Sequence, residues 1–171
     1  MRFPFEPPPA REFDAVGFGL NAVDHLVVVP HYPAYDTKVR LVEHERGAGG
    51  ETASAMTGLR RLGMSTAYAG RFGSDDAGRF GYDSLRAEGV DVEFAEVVEG
   101  AATQIAYILI DERTGERTVI WDRDPRLSYA EEEAPEGFAR RGRVLHMDGH
   151  DTRARARAAR EARAAGTVVS L

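Results

Sequence analysis

Apolar positions along this chain fall into short β-branched runs separated by stretches with helical spacing. Phe13 to Gly19 reads as a buried strand. Leu26 to Val29 reads as a second that stops at Pro30, and Lys38-Val39-Arg40-Leu41 alternates polar and apolar, which predicts a strand with one wet face. Behind Gly47-Ala48-Gly49-Gly50, residues Ala55, Leu59 and Leu62 recur at i, i+4 and i+7. That spacing predicts an apolar helix face, with Gly63 as its C-terminal cap. Ser65 to Ala69 returns to strand character. A second helix is predicted over Asp76 to Ala87, with Phe80 and Leu85 inward and Gly89 ending it.

Thr103 to Ile110 and Glu116 to Trp121 read as strands around the loop Asp111 to Gly115. Glu131 to Gly137, acidic and containing a proline, reads as surface. Arg143 to Met147 predicts a strand, Thr152 to Ala165 a helix, and Thr167 to Leu171 a further strand. Strands spaced by helices predict an α/β fold: a Rossmann-type parallel sheet with helices on both faces. The half-wet strands near 26–44 and 103–121 break that rhythm and predict a small second sheet projecting from the main layer. Open α/β sheets hold ligands beyond the carboxyl ends of their strands, so Asn21, Asp24 and the Gly49-Gly50 loop are expected to converge there.

Composition narrows the functional classes. With 171 residues, 43% of them hydrophobic and 29% charged, the chain has the make-up of one soluble globular domain. A net charge of −6 argues against a nucleic-acid partner. Cysteine is absent, which removes disulfides, thiolate metal sites and a thiol nucleophile. No apolar run has the length of a membrane span, so no membrane association and a cytoplasmic location are expected. Residues 1–12, with Pro4, Pro7, Pro8 and Pro9, read as a mobile leader to a domain over 13–171. Lys38 is the single lysine and no G-x-x-x-x-G-K-[ST] surrounds it, so a P-loop is excluded.

Several residues carry candidate chemistry. Asp24, just after the first strand, suits a carboxylate that accepts hydrogen bonds from two hydroxyls, or a simple turn residue. Gly49 and Gly50 offer main-chain N–H groups without a side chain in the way, or serve only to turn the chain. Glu51 complements the helix dipole and could also touch a ligand. Gly17-Phe18-Gly19-Leu20-Asn21-Ala22 matches a dinucleotide fingerprint, but that motif needs a helix next and this chain continues into a β-branched run. His146, Asp148 and His150 alternate as metal ligands would, although a turn with Asp151 capping the following helix fits as well, and no metal is expected. Arg153, Arg157 and Arg160 read as a solvated helix stripe, and Trp121, Arg123 and Asp124 as the end of a projecting strand.

The glycine-rich stretch, Gly63, and Gly73-x-Asp75-x-x-Gly78 together resemble the first signature region of the ribokinase-like (PfkB) carbohydrate kinases. The resemblance runs from about Phe13 to the end of the chain, and ketohexokinase-like members are nearest in pattern. It implies a β-sheet lid over a sugar or nucleoside, often paired with a second subunit as a homodimer. It also implies transfer of the ATP γ-phosphoryl group, with Mg2+, to a hydroxyl. Asp24, Gly49, Gly50, Ser54 and Asn21 become the expected substrate-binding residues. Ser54 stands where the family has Asn, Thr52 where a small residue or proline is usual, and Met56 where it has a small residue. The family's catalytic base and nucleotide site belong to a later G-A-G-D motif, expected beyond Leu171. Hence no catalytic, cofactor-binding or metal residue is expected in this chain, and no kinase activity from it alone. The alternatives are a non-catalytic sugar-binding or dimerisation module, and an NAD-binding oxidoreductase.

Overall fold

A computed structural model describes residues 8–171. Its main layer is a five-stranded, all-parallel sheet built from β1 (Phe13–Phe18), β4 (Thr66–Gly73), β5 (Ala95–Val98), β8 (Gly142–Met147) and β9 (Val168–Ser170). The spatial order is β5-β4-β1-β8-β9. Helices α1 (Glu51–Arg61) and α2 (Asp76–Ala87) cover one face, where Ala53, Met56 and Leu85 pack with Ala15, Tyr68 and Phe72. Helix α3 (Thr152–Ala164) and the segment before β8 cover the other, where Ala154, Ala158 and Phe138 meet Val16, Phe18 and Ala69. Alternation along β1 and β4 thus feeds two cores, as expected for a sheet buried on both sides.

A second, four-stranded sheet stands off the first: β2 (Ala22–Val29), β3 (Glu43–Gly49), β6 (Ile105–Asp111) and β7 (Arg117–Asp122), in the order β3-β2-β6-β7. Only β2 and β6 run parallel; the other pairs are antiparallel. Because β2 begins at Ala22, residues after Gly19 form a strand and not a helix. The dinucleotide fingerprint therefore lacks the helix N-terminus on which a pyrophosphate would sit.

Three local expectations are corrected. Lys38 to Leu41 is not a strand: those residues follow a turn with Asp36 in the left-handed region (φ 57°), and the chain pairs with β2 only from Glu43 on. An alternating tetrapeptide has no ladder unless a neighbour accepts it, and pairing won where Gly47 lands opposite Asp24. Strand β5, four residues without alternation, was not foreseen. The face of α1 is also different. Thr52, Ala53 and Met56 are its buried residues, Ala55 and Leu59 pack against the same core only partly buried, and Leu62 is 78% exposed.

The portion of the proposed leader that falls in residues 1–7 lies outside the described residues. From Pro8 onward the chain is held to the body: the Pro8 carbonyl accepts from Arg143 Nε (3.1 Å), and the Arg11 guanidinium donates to the carbonyls of Arg140 and Ala165. The Arg157 and Arg160 stripe clamps the acidic 131–133 turn, Arg160 reaching Glu131 at 2.7 Å and Arg157 donating to the Glu132 carbonyl at 2.9 Å. Among the described residues no helix is long and apolar enough to cross a membrane.

Candidate functional site

The two sheets meet where β1 runs out and β2 begins, and α1 starts directly from the end of β3. Gly50 makes that turn at φ 96°, a conformation that L side chains rarely adopt. A Cβ there would lie 2.4 Å from Asn21 Cα and 2.7 Å from the Leu20 carbonyl oxygen, so the loop and the β1–β2 link are in direct backbone contact. Gly49 is the last residue of β3. A Cβ on it would come within 2.1 Å of Asp24 Oδ2, which places the carboxylate against bare main chain. Burial raises the Asp24 pKa above its ordinary value, and the charge of neighbouring His25 partly opposes this.

Asn21, Gly49 and Ser54 border a cleft of about 450 Å3 between α1, α2 and β3, together with Thr57, Arg46 and Ser84. Asp24 does not line that cleft. It lies beyond Gly49 on the second sheet, in a row with Gly47, Ala106 and Trp121. Thus the five expected residues are neighbours, with Gly49 as the member shared by cleft and carboxylate. The buried Asn21 amide nitrogen is committed internally, donating to Tyr68 Oη and the Arg71 carbonyl (both 2.9 Å). Tyr68 Oη donates in turn to the Gly19 carbonyl at 2.7 Å, and burial pushes that phenol above its ordinary pKa. Together they fix the β1–β2 link.

The polar centre beneath this loop went unrecognised in the sequence. Asp148, at the end of β8, accepts from Leu20 N–H (2.6 Å) and Thr52 Oγ1 (2.7 Å) through one oxygen. Its other oxygen accepts from His150 N–H at 3.1 Å and lies 2.9 Å from Arg155 Nη1. Arg155 is itself buried on α3, and its Nε donates to the Phe18 carbonyl at 3.2 Å. Burial acts to raise the Asp148 pKa, but the Leu20 and Thr52 hydrogen bonds and the Arg155 charge outweigh it and hold the carboxyl below its usual value. Burial likewise lowers that of Arg155. One carboxylate therefore ties β1, α1, β8 and α3 together under the glycine turn. An Arg in an alanine-rich helix and an Asp at a strand end were the only signals, and neither is specific.

The histidine and aspartate alternation resolves differently from its expectation. His146 faces Ser170 on β9 (3.3 Å) and takes no part, because the strand ends at Met147 and the chain turns. Glu51 joins Asp148 and His150 instead, with ligand-type atoms within 4.8 Å of one another. This trio does not fit Mg2+: each Asp148 oxygen already has two partners, one of them the Arg155 guanidinium. Asp151 precedes α3 but makes no side-chain cap; it sits at φ 45° and pairs with half-buried Arg123 at 3.5 Å, joining the base of the second sheet to α3. Asp124 caps the 125–127 turn, and Trp121 stays exposed on the second sheet.

Comparison with known proteins places this geometry. The family model for pfkB carbohydrate kinases matches residues 18–169. An ATP-dependent ribose-1-phosphate kinase of Halopiger xanaduensis is 28% identical over 86% of this chain and 50% of its own length. A crystal structure from Agrobacterium tumefaciens, assigned as a ribokinase, superposes with a TM-score of 0.81 at 25% identity, over 90% of this chain and 50% of that one. Arabidopsis thaliana ribokinase, solved with ribose and ATP, gives 0.76 at 18% identity over 96% and 53%. The chain spans about half the length of the relatives it matches. With its match across both sheets and the glycine turn, the chain belongs to the pfkB family of carbohydrate kinases.

Proposed function

We propose that this chain forms the acceptor-binding part of an ATP-dependent kinase for a sugar or nucleoside. The observation that carries the reading is the Asp24 carboxylate held against the bare main chain of Gly49, beside the cleft bordered by Asn21 and Ser54. An ionised carboxylate accepts two hydroxyl hydrogen bonds, and adjacent main-chain N–H groups donate to the same polyol. Its task is to fix one acceptor hydroxyl for phosphoryl transfer, a reaction that depends on positioning and electrostatics. ATP with Mg2+ would supply the phosphoryl group; the Asp148 cluster does not suit the ion, so we place nucleotide and metal on other residues. On this reading the chain by itself binds acceptor and turns over no ATP.

Calorimetric titration with ribose, fructose and nucleosides tests this. We expect at least one ligand to bind, and Asp24→Asn to weaken it by about tenfold or more. Affinity should also fall as the pH drops through the raised Asp24 pKa, since the protonated carboxyl loses an acceptor. No binding of any acceptor, or an unchanged affinity in Asp24→Asn, would count against it.

We further propose that a second copy covers the Asp24 face of the small sheet. That face carries Leu26, Val28, Ile108 and Ile110 with exposed Val119 and Trp121. Trp121→Glu should convert a dimer into a monomer in sedimentation analysis; a wild-type chain that sediments as a monomer at all concentrations would refute the pairing.

A further inference from the structure

The opposite face of the small sheet carries a pair of histidines in direct contact. His25 on β2 and His44 on β3 sit diagonally across the ladder, His25 opposite Arg46 and His44 opposite Val27. His25 Nδ1 and His44 Nε2 are 3.2 Å apart, and the ring planes lie within 4° of parallel. A nitrogen–nitrogen contact of this length requires one donor and one acceptor, so at least one ring must be neutral at the contact. On its other side His25 stacks on Tyr107 of β6, centroids 4.9 Å apart, which limits its freedom to turn away.

Groups of both signs surround the pair. On this face the charged and titratable groups are Arg46 on β3 and Tyr107 on β6, with Asp111 on β6 and Asp122 on β7 farther along it. From α2, Asp76 faces the group through Arg46, paired at 3.1 Å, while Arg46 lies over the Phe80 ring at 4.4 Å. Asp24, Glu43 and Glu45 project from the reverse face of the same strands. Two imidazolium rings in contact beside a guanidinium would repel across the β2–β3 ladder, and imidazoles change charge between about pH 5 and 8.

The location gives this consequence. Asp24 directly precedes His25, and Gly47 to Gly49 follow Arg46 along β3. We infer that the His25–His44 pair is a proton-sensitive latch: it holds β2 to β3 at neutral pH and releases them when both rings are charged, loosening the Asp24–Gly49 contact. What the latch controls rests on the acceptor-site reading; the latch itself does not, and its test uses no sugar.

The test is amide hydrogen exchange on the purified chain at pH 7.5 and 5.5, expressed as protection factors to remove the intrinsic pH dependence. Wild type should lose protection about fivefold at pH 5.5 in β2 and β3, the scale of one hydrogen bond, with β1, β4 and β8 unchanged. In His44→Gln, and separately in His25→Gln, protection of β2 and β3 should be the same at both pH values. His44 is exposed, so its variant keeps the fold. Equal protection at the two pH values in wild type, or the same loss in the variants as in wild type, overturns the latch.

Discussion

Gly50→Ala is expected to lower stability by about 2–4 kcal/mol, from an added Cβ in a left-handed turn wedged against backbone. The two contributions act together. At φ 96° the alanine is strained even in open space, and its Cβ would sit 2.4 Å from Asn21 Cα. Neither obstacle is a flexible side-chain end, so relief must come from moving the β1–β2 link or the start of α1. Urea unfolding of wild type and variant measures the loss. A midpoint shift equivalent to less than about 1 kcal/mol would mean that the turn adapts and that the backbone contact is not a fixed feature. Because Gly49 and Asp24 depend on the same turn, acceptor binding should fall with stability.

Removal of the Asp148 carboxylate should have an effect of similar or greater size. In Asp148→Ala the Leu20 N–H and Thr52 hydroxyl lose their acceptor, and Arg155 remains buried without its contacting carboxylate. Breaking a buried pair in this way costs about 3–5 kcal/mol. Replacing both members, Asp148→Asn with Arg155→Met, should recover part of the loss, because the desolvated charge is then gone. If Asp148→Ala unfolds at the wild-type urea concentration, the pair is not structural. The pH dependence has a definite sign. The folded-state pKa lies below that of the unfolded chain, so the stabilisation is complete above the unfolded value, about 3.9, and disappears as the pH falls through the folded one. Wild type should lose stability in that acid window, and Asp148→Asn should lack this component.

Much of the site could be read from residue order. The run from Gly47 to Gly50 marked a turn into a helix; Gly47 to Gly49 instead finish β3, and Gly50 alone makes the turn, with Asp24 against Gly49. Helix α2 was predicted over Asp76 to Ala87 and has those ends, because Asp75 caps Gly78 N–H and Gly89 stops the chain at φ 79°. Both signals are local, within a few residues of the element they define. Leu62 misled for the complementary reason. Apolar spacing on α1 offered two possible faces, and the sheet took the one bearing Thr52, since that hydroxyl finds Asp148 across 96 positions.

Apart from β5 and the placement of β3, the sequence alone determined the order of strands and helices, the parallel α/β layering and the existence of a separate half-wet sheet. Each of these follows from periodicity and short-range punctuation. Only the tertiary structure decided that Arg155 is buried, that His146 leaves its presumed cluster while Glu51 enters it, and that His25 meets His44. Those outcomes depend on which chain segments become neighbours. Arg155 reaches the Phe18 carbonyl over 137 positions, and the two histidines meet because β3 pairs from Glu43 instead of Lys38. A polar side chain becomes buried when a distant partner satisfies it, and nothing in its own neighbourhood along the chain encodes that partner.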